Sequence, residues 1–164
     1  MSSPYIVTMA DQTIIASSEM ITIRAATALG SRASILEILR MTCSQSGTAT
    51  SQQLGIRWGL KASAFSTMTA TTPAPTILGA VASAITGSTS GAASSCGTDS
   101  SSNGGGTFTV IGQDTFNNLN GWLWIPTPEE RILVSIDQTF VLAMVGTATT
   151  LTNWNATLTF REVT

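Results

Sequence analysis

The chain has 164 residues, of which 10% are charged, none is histidine and 47 are serine or threonine, and its formal net charge is −2. That length suits a single domain able to bury about 68–70% of its unfolded surface in one core. Without histidine the chain lacks the usual group that titrates near pH 7, a common metal ligand and the base of a Ser-His-Asp triad. Composition therefore favours a structural or binding protein over an enzyme, with no cofactor and no metal site.

The basic residues are scattered singly along the chain, at Arg24, Arg32, Arg40, Arg57, Lys61, Arg131 and Arg161. Proteins that bind nucleic acid hold phosphates with clustered Lys and Arg, so we expect no nucleic-acid partner. The first residues lack the pattern of a secretory signal, and no apolar run approaches the ~18 residues that a membrane span needs. We therefore expect a chain that is made in a cytoplasm, stays soluble and has no membrane partner.

Alternation of apolar and polar residues predicts most of the secondary structure. In chain order, the expected strands are Tyr5–Met9, Thr13–Ala16, Met20–Ala25, Ala33–Cys43, Gln53–Lys61, Thr107–Ile111, Gly121–Ile125, Ile132–Ile136, Thr139–Val145 and Trp154–Arg161. A turn at Asp11-Gln12 should separate the first two strands. The 20–25, 53–61 and 154–161 strands should each turn one face to a core and the other to water.

The stretch from residue 33 to residue 43 is apolar on both faces, as in a central strand or an interface strand. A helix is the less favoured alternative there. Elsewhere the best helix candidate is Ile77–Ile85, which Gly79 and its β-branched residues weaken. Many short antiparallel strands without crossover helices are typical of a sandwich or a jelly roll. The sequence thus predicts an all-β fold: one jelly-roll-like antiparallel β-sandwich domain over residues 1–164, with about 8–10 short strands.

Residues 86–107 are dominated by Ser, Gly and Thr and are expected to form a surface loop. An insertion of little energetic cost is favoured there over an arm that lies across a neighbouring subunit. Cys43 alternates with Leu39 and Met41, which predicts a buried thiol that behaves as a small apolar side chain. Because Cys96 lies in the flexible loop, a Cys43–Cys96 disulfide is the less favoured alternative.

The stretch with the most distinctive chemistry runs from Phe116 to Arg131. Asn120-Gly121 favours a tight turn, because both residue types tolerate positive φ. Trp122 and Trp124 then share one face of a strand, where they could stack on a sugar or a base. Side chains of this kind more often fill a core or a subunit interface, so we favour packing.

The segment 126–131 predicts a turn that opens one short helical turn. Thr127 suits the N-cap, Pro128 the first helical position and Glu130 the third, as in a capping box. The adjacent carboxylates of Glu129 and Glu130 should point in different directions, which excludes the facing pair of a glycosidase. No nucleophile elbow, phosphate loop or calcium loop is present in the sequence. We therefore name no catalytic residue, and the candidate interface residues are Trp122, Trp124, Pro126, Pro128, Glu129, Glu130 and Arg131.

Two stretches carry a resemblance to a known group of proteins. Residues 120–132 are Asn-Gly-Trp-Leu-Trp-Ile-Pro-Thr-Pro-Glu-Glu-Arg-Ile, and residues 157–163 are Thr-Leu-Thr-Phe-Arg-Glu-Val. Over about residues 108–164 the chain resembles small virion proteins of tailed bacteriophages, of the head decoration (cement) type. The alternative we keep is the distal domain of a phage tail fibre or spike, which would recognise a host glycan.

The resemblance implies a β-sandwich, commonly a homotrimer, that is made in the host cytoplasm. It would bind the major capsid protein on the outside of an icosahedral head and stabilise the shell. A threefold assembly would bury the apolar 33–43 strand and the face of Trp122 and Trp124. These statements about partners, location and oligomeric state are expectations from the resemblance.

Overall fold

The computed structural model describes residues 4–14, 18–25, 35–62, 76–77, 86–87, 95–98, 106–146 and 151–163. The strands in these ranges are β1 (Pro4–Ile14), β2 (Ile21–Arg24), β3 (Ile35–Gln45), β4 (Gln53–Lys61), β5 (Thr76–Ile77), β6 (Thr86–Gly87), β7 (Ser95–Thr98), β8 (Phe108–Asn117), β9 (Trp122–Trp124), β10 (Leu133–Val134), β11 (Thr139–Val145) and β12 (Leu151–Val163). One 3₁₀ turn, Pro128–Glu130, lies between β9 and β10.

The strands form two sheets that pack face to face. Sheet 1 has the order β10-β3-β12-β1-β5, with β9 also paired to β3, and sheet 2 has the order β6-β7-β2-β11-β4-β8. All pairs are antiparallel except the short pair of β6 and β7. The predicted all-β antiparallel sandwich is therefore confirmed.

The pairing follows the nested order of a jelly roll. β1 pairs with β12, β2 with β11, β3 with β9 and β10, and β4 with β8. Two further pairs complete the sheets: β12 also pairs with β3 in sheet 1, and β11 also pairs with β4 in sheet 2. A long antiparallel ribbon wrapped over two sheets in this way makes the two Greek keys of a jelly roll.

The core lies between the sheets and is built from alternate residues of their long strands. In β12 the inward side chains are Trp154, Ala156, Leu158 and Phe160, all of which are buried. The same period of two buries Leu54, Ile56 and Trp58 in β4, as the sequence predicted. The prediction is wrong at the end of β4, where Gly59 and Lys61 are buried and Leu60 is half-buried; the buried Lys61 ammonium is paired with Glu19. Trp154 also donates its indole N–H to Met20 Sδ at 3.1 Å, so its polar atom is satisfied inside the core.

Several predicted boundaries are wrong. β1 continues through Asp11-Gln12 without the expected turn. Asp11 has a φ of 52° there, and the register with β12 shifts on either side of Gln12, which marks a bulge. The Asp11 amide donates to Asn155 Oδ1 at 3.1 Å, so the bulged backbone keeps a partner on the neighbouring strand.

β2 is buried on both faces, although alternation predicted one face toward water. Its polar side chains tolerate this because they are hydrogen-bonded. The Thr22 hydroxyl donates to the Gly97 carbonyl at 3.4 Å, and Arg24 Nη2 lies 3.2 Å from Asp137 Oδ1.

The expected surface loop of residues 86–107 contains a buried strand. β7 pairs with β2, and Cys96 and Thr98 are fully buried. The prediction was wrong for these residues because small polar side chains can pack closely once the backbone joins a sheet. Cys43 lies in sheet 1 and Cys96 in sheet 2. No disulfide joins them, and the buried Cys43 thiol is confirmed.

The remaining differences concern strand lengths and the helix alternatives. The 33–43 stretch is the strand β3, as favoured, although residues 33 and 34 lie outside the described ranges. β8 extends to Asn117, beyond the predicted end at Ile111, and the predicted 132–136 strand shrinks to β10. Ile77 ends β5, and the rest of the Ile77–Ile85 helix candidate lies outside the described residues.

Candidate interaction surface

Trp122 and Trp124 point from β9 into the sandwich, where they meet the opposite sheet. The ring centroid of Trp58 on β4 lies 5.3 Å from that of Trp122 and 5.8 Å from that of Trp124. Phe116 on β8 lies 6.5 Å from Trp122 and 6.2 Å from Trp154, which extends the aromatic cluster across both sheets. Trp122 is 8% exposed. The packing interpretation therefore describes these indoles better than a stacking platform for a ligand.

A carboxylate at the margin of this cluster ties the two sheets together. Trp122 Nε1 donates to Asp114 Oδ2 at 3.0 Å, and the Thr115 amide donates to Asp114 Oδ1 at 2.7 Å. The turn before β9 has the predicted glycine conformation, since Gly121 has a φ of 68°. This turn passes from sheet 2 to sheet 1, so it does not close a hairpin within one sheet.

The segment 126–131 forms the predicted short helical turn, with Thr127 at its N-cap and Pro128 at its start. Glu130 Oε2 accepts the Thr127 hydroxyl at 3.1 Å and the Thr127 amide at 3.4 Å. The Glu130 amide in turn donates to the Thr127 carbonyl at 3.0 Å. Both carboxylates of the turn, on Glu129 and Glu130, are exposed. Pro128 is exposed as well, whereas Pro126 is buried and Arg131 is half-buried.

Arg131 links this turn to the middle of sheet 1 through a buried carboxylate. Arg131 Nη1 lies 3.2 Å from Glu37 Oε1, and Arg161 on β12 pairs with the other Glu37 oxygen. The Ile38 amide also donates to the Ile132 carbonyl at 2.9 Å. Arg131 therefore has a structural role in fixing the turn against β3.

The environment of Glu37 sets its charge state. Burial raises the pKa of this carboxyl, but hydrogen bonds and positive charge from Arg161 and Arg131 outweigh that effect and hold the pKa below its ordinary value. The carboxylate is therefore ionised near neutral pH, and the three side chains form a charged cluster on the outer face of sheet 1.

The exposed large apolar side chains are concentrated in two parts of the chain. In the described residues they are Ile35, Val110, Ile111, Leu119, Leu123, Ile125, Leu133 and Ile136. Two of them lie on β8, which we call the β8 edge. The other six lie in the segment 119–136 or at the start of β3 beside β10, and we call these six the β9–β10 rim.

The rim was missed by the sequence reasoning, which singled out the tryptophans in the same strand. Leu123 and Ile125 alternate with the inward Trp122 and Trp124, so they face outward, and they are 56% and 64% exposed. Leu133 pairs with Glu37 on the outer face of the same sheet and is 56% exposed. Leu123 and Ile125 make this segment apolar on both faces. Strands that are apolar on both faces often lie in interfaces, so these two residues were the sequence signal for an exposed apolar surface.

Reactive groups are few in the part of the chain that the structure describes. It contains no group of three or more Cys, Asp or Glu side chains that could hold a metal ion. It also contains no helix that is both long and apolar enough to span a membrane. Burial raises the pKa of the Cys96 thiol to about 12 and raises that of Cys43 further, so neither is a thiolate near neutral pH.

A shallow polar groove of about 250 Å³ lies at one end of the sandwich, lined by Gln45, Thr48, Ala49, Thr50, Ser51, Gln52 and Thr152. Its wall is fixed by Asn118, which is 1% exposed. Asn118 Nδ2 donates to Gln45 Oε1 at 2.8 Å and to the Thr50 carbonyl at 2.9 Å, and Asn118 Oδ1 accepts the Gln52 amide at 2.8 Å. The lining side chains are all uncharged.

Comparisons with protein-family models, with curated proteins and with solved structures found no match. The resemblance to phage decoration proteins, and the function that it implies, therefore stay predictions.

Proposed function

We propose that this chain is a head decoration protein of a tailed bacteriophage, which binds the major capsid protein on the outside of the shell and stabilises it. The observation that carries this proposal is the β9–β10 rim. It places exposed apolar side chains beside residues 120–132, the stretch that resembles decoration proteins. Leu123 and Leu133 are both exposed on strands that pair with the same edge of β3. Exposed apolar side chains grouped on a folded domain are a common mark of a protein interaction site.

The size of the rim supports a weak contact that gains strength through repetition. Its six side chains, each 36–64% exposed, together present about as much surface as three fully exposed aliphatic residues. Burying that surface contributes about 5–9 kcal/mol before the costs of association, which are about 4–15 kcal/mol. One contact of this kind is therefore weak alone, and it suits a protein that binds a repetitive shell in many copies.

The rim also has a rigid support and a polar border. The charged cluster of Glu37, Arg131 and Arg161 anchors the 126–131 turn to sheet 1, while Glu129 and Glu130 stand exposed beside the apolar residues. An apolar centre with a polar margin is the usual anatomy of a protein interface.

The distribution of charge suits the outside of a head better than its DNA-filled interior. Of the basic residues in the described ranges, Arg24, Lys61, Arg131 and Arg161 are all in ion pairs with carboxylates. Little positive charge is left to hold phosphates, and the whole chain is slightly acidic.

The alternative function, glycan recognition by a tail fibre or spike, is favoured by a different observation. The polar groove beside Asn118 offers hydroxyl and amide groups without charge, which is the chemistry that binds neutral sugar hydroxyls. Binding in a glycan array, abolished by Asn118→Ala and retained in Leu123→Lys, would favour this function over decoration.

The decoration proposal is tested on the phage particle that carries this chain. Antibody labelling and a cryo-EM reconstruction of intact particles should place it on the head surface. Purified chain should also bind heads stripped of it, with at least tenfold weaker binding for Leu123→Lys. Thr8→Lys, a change at an exposed position on β1, is the matched control and should bind normally. Finding the chain in purified tails, or equal binding by both variants, would contradict the proposal.

A further inference from the structure

In the described chain, β8 is the longest strand at the end of a sheet, and one of its sides has no neighbouring strand there. β8 is ten residues long and lies at the end of sheet 2, where β4 is its one partner in the described chain. Its other side presents backbone N–H and C=O groups that another strand could pair with. Val110 and Ile111 are 45% and 50% exposed, and β8 contains no Lys or Pro to block such pairing.

If the partner strand comes from a second copy of this chain, the lengths of the strands indicate which edge of that copy could pair with β8. The other terminal strands of the two sheets are β5, β6 and β10, which have two residues each, and β9 beside β10 has three. None of these can pair along ten residues. β1 is eleven residues long, but β5 occupies part of its outer side, at Tyr5 and Ile6. Among the strands of the described chain whose whole outer side is open, β8 is the longest, so its best match in a second copy is β8 itself.

We propose that two copies of this chain associate by antiparallel pairing of their β8 edges around a twofold axis. The same edge on each copy then contacts the other, so the contact is closed and self-complementary. Pairing joins the two copies of sheet 2 into one continuous sheet and covers Val110 and Ile111. Such a dimer would form from the purified chain and does not depend on a role in virions.

The charges on β8 permit this arrangement. Asp114 is its one ionisable residue, and its carboxylate already accepts hydrogen bonds from the Trp122 indole and the Thr115 amide. Like charges face each other only in a register centred on Asp114, so the other registers are free of this repulsion. The register between β8 and β4 shifts between the pairs Val110–Gly59 and Gly112–Trp58, so Ile111 has no partner residue on β4.

The proposed dimer differs from the trimer that the resemblance implies, and mass separates the two. Sedimentation equilibrium of the full chain should show a monomer–dimer equilibrium. Ile111→Lys should raise the dimer dissociation constant at least tenfold, because a lysine on an edge strand opposes pairing. Thr8→Lys on the exposed face of β1 is the matched control and should leave it unchanged. A pure monomer, a trimer, or a dimer indifferent to Ile111→Lys would overturn the proposal.

A cysteine scan along β8 tests the pairing geometry directly. Thr109→Cys, Ile111→Cys, Gln113→Cys and Thr115→Cys are made singly and oxidised mildly, while the native Cys43 and Cys96 stay buried. A disulfide needs Cα atoms about 4.4–6.8 Å apart, and strand residues advance about 3.4 Å each. Cross-linking should therefore peak at one position or two neighbouring ones beside the twofold axis. Uniform cross-linking, or none at any position, would contradict strand pairing.

Discussion

Replacing Gly112 with alanine is the sharpest test of the packing between the two sheets. Gly112 lies opposite Trp58 across the β4–β8 ladder, and the indole of Trp58 covers it. A Cβ at position 112 would lie 2.3 Å from Trp58 Cζ2 and 2.4 Å from Trp58 Cε2. Carbon atoms in ordinary contact are about 3.5–4.0 Å apart, so the indole has to move by more than 1 Å.

The surroundings of Trp58 determine the cost of that movement. Trp122 and Trp124 pack against its ring with centroids 5.3 and 5.8 Å away, so a displaced indole disturbs the whole aromatic cluster. Overpacking of a core typically costs 1–3 kcal/mol. Because the clash is severe and the ring is confined, we expect Gly112→Ala to lower the free energy of unfolding by about 3 kcal/mol.

Urea unfolding followed by tryptophan fluorescence and far-UV circular dichroism measures this difference. Gly55→Ala is the matched control in the neighbouring strand, since its Cβ would meet Val145 at 3.2 Å and should cost under about 1 kcal/mol. Trp58→Phe should rescue Gly112→Ala, so that the double variant is about 2 kcal/mol more stable than additivity predicts. A cost for Gly112→Ala no larger than that of the control, or additive effects in the double variant, would refute the packing described here.

Three further predictions concern buried polar groups and thiols. The pKa of Glu37 is lowered in the folded chain, so its contribution to stability is present above the unfolded value of about 4.3 and is lost as pH falls through the folded value. The excess stability of the wild type over Glu37→Gln, about 2 kcal/mol at pH 7, should therefore shrink on acidification; a constant difference would contradict this. Asn118→Ala should cost about 2–3 kcal/mol in urea unfolding, because it leaves buried partners unsatisfied, and a change under 0.5 kcal/mol would argue against that network. Cys43 and Cys96 should react with a thiol reagent at pH 8 only after urea is added, and fast labelling of the native chain would show that they are accessible.

Much of the fold could be predicted from local patterns. The period of two placed β4 to the residue and the central part of β12, because both turn one face to the core. The bounds of β11 were also predicted, although this strand is buried on both faces. The absence of amphipathic helices left the sandwich as the natural architecture. The turn at 126–131 was also predictable, since Thr127, Pro128 and Glu130 favour that geometry without help from distant residues.

The candidate interaction surface was harder to predict because exposure depends on the opposite sheet. The sequence drew attention to Trp122 and Trp124, whose large side chains can equally fill a core or an interface. Their burial follows from the position of Trp58, which is 64 residues away from Trp122 in the sequence and belongs to the other sheet. The residues left exposed are instead Leu123 and Ile125, on the opposite face of the same segment.

The sequence alone determined that this chain forms short strands with few ionisable groups, because alternation and composition are local properties. Only the tertiary structure decided how those strands pair. It buried β7 within an apparently featureless Ser/Gly-rich segment, gathered Glu37, Arg131 and Arg161 into one cluster, and left one side of β8 without a partner among the described residues. These outcomes depend on contacts between residues distant in sequence, which no local pattern encodes.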